Sequence, residues 1–243
     1  MKRSVKCMTM TMMCLDKRNE TNLIYKTIYG CTSLTNITIP SHVTKVGFFA
    51  FSKCTNLKSV SLPDGLTMIG YGAFNECTNL NQINIPNTVT KLSERAFKDC
   101  TSLKGIYIPS SVAEISIEAF YTCTNLESIT VDSNNLQYCS VDGILYTKDK
   151  SELVCYPLGR TAEQFNVPTT VKKIGAESFY GCENLTSIVI PLSVDTIGGY
   201  AFINCTNIKD VYYQGTQEQW SAITIGDMNH CIKNANIHYN YTE

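Results

Sequence analysis

The residues best equipped for chemistry in this sequence are its 12 cysteines, set beside only 3 histidines and 1 tryptophan in 243 residues. A thiolate zinc site, like a redox dithiol, wants ligands paired at close spacing, and no C-x-x-C occurs. Instead Cys31, Cys54, Cys77, Cys100 and Cys123 recur every 23 residues, and Cys182 and Cys205 resume the same interval. Thiols at one position of a repeat predict a structural role. Stacked neighbours stand ~5 Å apart with parallel Cβ vectors, longer than a relaxed bridge prefers. They are expected to form a buried ladder in which cysteine acts as a small apolar residue with a weak S–H donor. Cys139 and Cys155 fall outside the register and are the one pair placed for a disulfide, while Cys7 and Cys14 are read as free thiols.

Other chemistry is poorly provided for. His42, His230 and His238 are the only imidazoles, and no G-x-S-x-G, H-E-x-x-H or phosphate-cradling glycine loop is present. Asp132-Ser133-Asn134-Asn135 and Asp142 lack the twelve-residue calcium loop and its closing glutamate. The reading is a non-enzymatic chain that needs no cofactor or metal. A net charge of −1, from 20 basic and 21 acidic residues, speaks against a nucleic-acid partner. No run of 18 apolar residues encodes a membrane span. Charge is uneven along the chain, with a balance of +5 in residues 1–121 and −6 in residues 122–243.

The elements that must position these residues follow the same 23-residue clock. Pro40, Pro63, Pro86 and Pro109 keep it, as do Pro168 and Pro191. Before each proline an alternating apolar pair, such as Ile37/Ile39 or Ile83/Ile85, reads as a short strand, and the proline ends it for want of an N–H. After it comes a second apolar pair, Val43/Val46 or Leu66/Ile69, then glycine at 47, 70, 175 and 198, expected to loosen the corner. Ala-Phe, as in Ala73-Phe74, then fits one short helical turn with phenylalanine filling the core. A unit of this size has no second layer to bury its apolar side, so the units must stack as a solenoid. Nine strands at ~4.8 Å give one domain roughly 40 Å long.

The period breaks between Cys123 and Cys182, where one turn is 13 residues longer than its neighbours. Within this extended repeat, 132–167, Ile144–Thr147 and Glu152–Tyr156 read as a β-hairpin. It either projects opposite the main sheet or patches the core where an Ala-Phe turn is missing. Residues 214–243 read as a C-terminal cap: Thr216 to Gln219 has the form of a capping box, and a short helix carrying Trp220 should follow. Residues 19–30 hold a degraded half-turn with Leu23 and Ile28, leaving that end uncapped. Residues 1–18 are read as an unassigned or disordered lead whose Met1-Lys2-Arg3 start lacks a convincing cleavage site.

The pattern Leu-x-x-Ile-x-Ile-Pro-x-x-Val-x-x-Ile-Gly-x-x-Ala-Phe-x-x-Cys, matched by Leu57–Cys77 and Leu185–Cys205, resembles the BspA-type leucine-rich repeat. The resemblance covers about residues 19–213, and the ending Val211–Trp220 is similar to family caps. It implies an α/β repeat: a right-handed leucine-rich-repeat solenoid with a parallel sheet on one face, short helical turns and strands on the other, and one hairpin insertion. It also implies a cell-surface or secreted protein used for adhesion, with protein or glycoprotein partners such as host extracellular matrix.

Strand residues that alternate with the buried ones must form columns across the sheet. These columns hold Asn36, Thr38, Ser59, Ser61, Gln82, Asn84, Tyr107, Thr130, Asp210 and Tyr212, with Ser187/Val189 among them. The face is small, polar and nearly uncharged, with Tyr107 and Tyr212 as its exposed aromatic anchors. It is the candidate ligand surface; a hydroxyl and amide ladder that only stabilises the sheet is the plainer alternative. The competing functional reading is a spacer that self-associates through its uncapped N-terminal end.

Overall fold

The computed structural model describes residues 22–23 and 28–242. The lead at 1–18, its signal-like start, Cys7 and Cys14 lie outside the described residues. Packing divides the chain into two compact units, Met1–Gln137 and Tyr138–Glu243. Each is a stretch of leucine-rich-repeat solenoid.

In the first unit the strands Asn36–Thr38, Ser59–Ser61 and Gln82–Ile83 form a parallel sheet, and Gly105–Ile108 pairs with Ser128–Val131. Every pairing joins residues one repeat apart, as in Ile37↔Val60↔Ile83. On the other side of each turn the second apolar pairs build a sheet of two-residue strands, among them Lys45–Val46, Met68–Ile69, Lys91–Leu92 and Glu114–Ile115. Each proline carbonyl accepts from the N–H three residues on, as Pro63 does from Leu66 at 3.0 Å, so the chain turns where the strand stops.

Between the sheets the phenylalanines stack: Phe51, Phe74, Phe97 and Phe120 follow one another with ring centroids 5.3, 5.6 and 5.9 Å apart and planes within 7° of parallel. The segment carrying them is not the helical turn expected, except as a 3-10 turn at Ile117–Phe120. The cause is backbone sign. Phe49, Gly72 and Arg95 before Ala-Phe, and Lys53, Glu76, Asp99 and Thr122 before the cysteine or its equivalent place, take positive φ, which a right-handed helix does not accommodate.

The recurrent glycine also has a different reason from the one expected. Gly70 and Gly198 do not take positive φ. A Cβ on Gly70 would stand 2.7 Å from the Val46 carbonyl oxygen, so glycine is there because consecutive turns approach closely.

In the second unit Gln164–Asn166, Ser187–Ile190, Asp210–Tyr213 and Asn236–His238 form the parallel sheet. The inserted hairpin is a three-stranded antiparallel meander, Tyr138–Val141, Ile144–Thr147 and Glu152–Cys155, whose first turn uses Asp142 and Gly143 at positive φ. Its last strand runs parallel to Lys173–Ile174 and extends the second sheet. Tyr156 then occupies the place of a repeat phenylalanine, 5.1 Å from Phe179, which continues to Phe202 at 4.8 Å. The hairpin therefore fills the core of this unit. At its end the Thr216 hydroxyl accepts from the Gln219 N–H and the Gln219 side-chain oxygen accepts from the Thr216 N–H, opening the helix Gln217–Ser221. Trp220 on it packs edge-on to Tyr213.

Candidate functional site

The cysteines are structural. Cys54, Cys77, Cys100, Cys123 and Cys205 each donate S–H to a carbonyl 26 residues earlier, at 2.9 to 3.2 Å. Burial pushes the thiols of Cys54 and Cys205 up to about 12, and those of Cys77, Cys100 and Cys182 well above their ordinary value. They are poor nucleophiles and poor metal ligands. Cys31 departs from this ladder, being half-buried and disulfide-bonded. Cys139 and Cys155 are free thiols. Cys139 pairs with Tyr146 and Cys155 with Leu145, on opposite sides of the middle strand, so about two strand spacings separate them and no bridge reaches. Among the described residues no three His, Cys, Asp or Glu side chains gather as metal ligands, and no helix is long and apolar enough to cross a membrane.

The strand face of the first unit carries a recess of about 600 Å³ lined by Asn36, Thr38, Ser59, Ser61, Gln82 and Asn84 around Ile37, Val60 and Ile83. Six of the ten residues expected on the ligand surface thus meet in one place. The hydroxyl and amide ladder is realised only in part: Ser59 donates to Asn36 at 2.7 Å, with Asn36 donating on to Thr35. Thr38, Ser61, Gln82 and Asn84 make no side-chain hydrogen bond to the described residues, so their donors and acceptors face solvent.

Tyr107 stands one repeat beyond Asn84. It is 42% exposed, and its hydroxyl donates to Asp132 at 2.6 Å, a bond that raises the phenol's pKa and fixes the ring. Thr130 is exposed beside it in register. Charged side chains of this unit pair from turn to turn elsewhere, as Lys91 with Glu114 and Arg95 with Glu118.

The strand face of the second unit differs from expectation. Ser187 and Val189 are buried, because Val189 lies in register between Asn166 and Tyr212 while Ser187 bonds Gln164. Tyr212 is half-buried and no free anchor: its ring stacks on His238 at 4.7 Å and meets Tyr241 at 4.8 Å. His238 Nε2 also lies 2.8 Å from Asp210, whose carboxyl it holds below the usual carboxylate range. The C-terminal segment thus covers both Asp210 and Tyr212.

Two features escaped the sequence reading. Asn56, Asn79, Asn125, Asn184 and Asn207 each donate to a carbonyl 24 residues back, at 2.6 to 2.9 Å, tying each turn to the one before. Their recurrence two residues after five of the seven repeat cysteines was the available signal. Phe48, 54% exposed, also meets Tyr71 edge-on, with Arg95 over the Tyr71 ring. That cluster has no periodic signature.

Comparison with known proteins places this geometry. The BspA type leucine rich repeat region matches residues 21–140 and 158–242 in six copies. Among solved structures, a leucine-rich repeat protein from Eubacterium ventriosum is 28% identical with a TM-score of 0.60, covering 74% of this chain and 60% of its own, so the chain spans about 60% of that relative. A leucine rich cell surface protein from Faecalibacterium prausnitzii is 26% identical with a TM-score of 0.55, covering 85% of this chain and 80% of its own. The pneumococcal vaccine antigen PcpA, at 19% identity, TM-score 0.64 and coverage of 86% and 69%, shares the fold. No curated protein sequence matches.

Proposed function

Because the chain belongs to the BspA type leucine rich repeat family, we propose that it is a non-catalytic, adhesin-like module that binds a protein or glycoprotein through the strand face of its first unit. Residues 19–243 would serve as one binding domain at the cell surface or in a secreted protein, a location favoured by likeness to a cell surface protein of the same repeat class. Extracellular matrix is the partner class that the family resemblance favours.

The observation that carries this reading is the recess itself, lined by Thr38, Ser61, Gln82 and Asn84 with their hydrogen-bonding groups unspent. The sheet already fixes the backbone that carries these groups, so binding need order only their side chains, which lowers the entropic cost of association. The test is binding of the purified chain, tethered at its C-terminus, to matrix glycoproteins including fibronectin. Micromolar or tighter binding, weakened ~10-fold or more by Ser61→Arg, supports the strand face. Binding indifferent to Ser61→Arg removes that face from the account, and absence of binding across the panel favours a spacer role.

A further inference from the structure

We infer that the recess on the strand face of the first unit takes a neutral glycan chain, with Tyr107 as its stacking platform. This rests on the binding role proposed above and narrows the ligand class.

The chemistry of the lining decides it. No charged side chain lines the recess, so a sulfated or otherwise anionic polymer finds no counter-charge there, and neither does a ligand recognised through Lys or Arg. Nor does the recess hold an aromatic, Arg or Met group of the kind that anchors protein partners. Its apolar floor, Ile37, Val60 and Ile83, is at most 9% exposed. What it offers are primary amides and hydroxyls, groups that donate and accept at once. Their natural complement is a ligand whose own groups do both, the hydroxyls of a sugar.

The layout suits an extended chain laid across the strands. Side chains of one column recur every ~4.8 Å across the sheet, and the two columns stand about 6.6 Å apart along each strand. One repeat on from Gln82 comes Gly105, on the strand that pairs with Ser128–Val131, with the Ser128 hydroxyl beside it. The Tyr107 ring, exposed and held by the Asp132 bond, presents an electron-rich face to the polarised C–H groups of a pyranose. Amides and hydroxyls followed by an oriented aromatic ring form a recognition set for carbohydrate more than for peptide.

The experiment compares the full chain on an array of neutral, sialylated and sulfated oligosaccharides with its binding to matrix glycoproteins before and after enzymatic deglycosylation. Asn84→Ala, Gln82→Ala and Tyr107→Ala test the lining, and circular dichroism confirms that these exposed substitutions leave the fold intact. The expected result is binding to neutral oligosaccharides, loss of glycoprotein binding on deglycosylation, and ~3- to 10-fold weakening by each amide truncation. Glycoprotein binding that survives deglycosylation overturns the glycan assignment while leaving the binding role standing. Preference for sulfated or sialylated probes overturns the neutral character. Failure to bind any probe, glycan or protein, overturns both.

Discussion

Gly198→Ala and Gly199→Ala are the same chemical change one residue apart, and the structure gives them opposite outcomes. Neither glycine has positive φ, so neither substitution strains the backbone by itself. A Cβ on Gly198 would stand 2.4 Å from the Ala176 nitrogen, 2.7 Å from its Cα and 2.9 Å from the Gly175 carbonyl carbon, whereas on Gly199 the nearest atom, the Asp227 nitrogen, lies at 3.8 Å. Ordinary contact begins near ~3.5 Å, so at Gly198 two turns must part by about 1 Å. They are joined there by the bond from the Gly198 N–H to the Ile174 carbonyl, at 2.8 Å. Serine at the equivalent places shows the direction of relaxation, since the rungs from Ser93 and Ser116 lengthen to 3.1 and 3.0 Å. Overpacking against backbone costs ~1–3 kcal/mol and a weakened backbone bond adds about 1, so the close approach sets Gly198→Ala about 2–4 kcal/mol below Gly199→Ala. Both variants restrict the unfolded chain equally, a gain of ~0.4–1 kcal/mol, which leaves Gly199→Ala neutral or slightly stabilised. Urea denaturation followed by circular dichroism measures the difference, and thermal melts should place Gly198→Ala roughly 5–15 °C below its neighbour. Two variants within ~0.5 kcal/mol of each other would refute close approach of turns as the reason for the repeat glycine.

Three further outcomes follow from the packing. Ser178 stands where other repeats have alanine, such as Ala73 and Ala201, and its buried hydroxyl has no hydrogen-bond partner among the described residues; Ser178→Ala should gain ~1 kcal/mol in denaturant titration, and a loss would mean that the hydroxyl is satisfied. Asn229 is fully buried, donates to the Gly198 and Gly226 carbonyls at 2.8 and 2.9 Å, and accepts from the Phe202 N–H at 2.9 Å. Asn229→Leu leaves those backbone groups unpaired, so unfolding should ease by about 3–5 kcal/mol, and a change under ~1 would contradict that role. The thiols of Cys54 and Cys205 titrate near 12 when folded but at ~8.5–9 when unfolded. The unfolded chain alone then loses protons as pH rises from about 9 towards 12, and stability falls, by ~2 kcal/mol per thiol at pH 10.5. Urea midpoints should show that slope flattened in a Cys54→Ala/Cys205→Ala variant, and an equal slope in both proteins would mean that burial does not hold these protons.

Whatever repeats was legible in the sequence, because one spacing fixes register, core and exposed column together. Cys54, Pro63 and Phe74 place their counterparts in the regular turns, and the polar column Asn36–Asn84 lines the recess because alternation along a strand leaves it no other direction. What was not legible depends on contacts off the period. Tyr212 was read as an exposed anchor by its strand position, yet His238 and Tyr241 arrive from the irregular C-terminal segment and stack on it. The hairpin's strands were visible in Ile144–Thr147, but their joining to Lys173–Ile174, which makes them part of the sheet, is a tertiary choice. The recurrent glycines were visible too, and only the spacing between turns shows that they serve clearance.

The most direct test of the central claim compares two faces of the first unit. Gln82→Ala/Asn84→Ala truncates the recess, while Lys45→Ala/Lys91→Ala alters an exposed and a half-buried position on the second sheet. Binding of each variant to a matrix glycoprotein retained by the parent chain should fall ~10-fold or more for the first pair and by less than about twofold for the second. The reverse order would place the ligand on the opposite face and contradict the account.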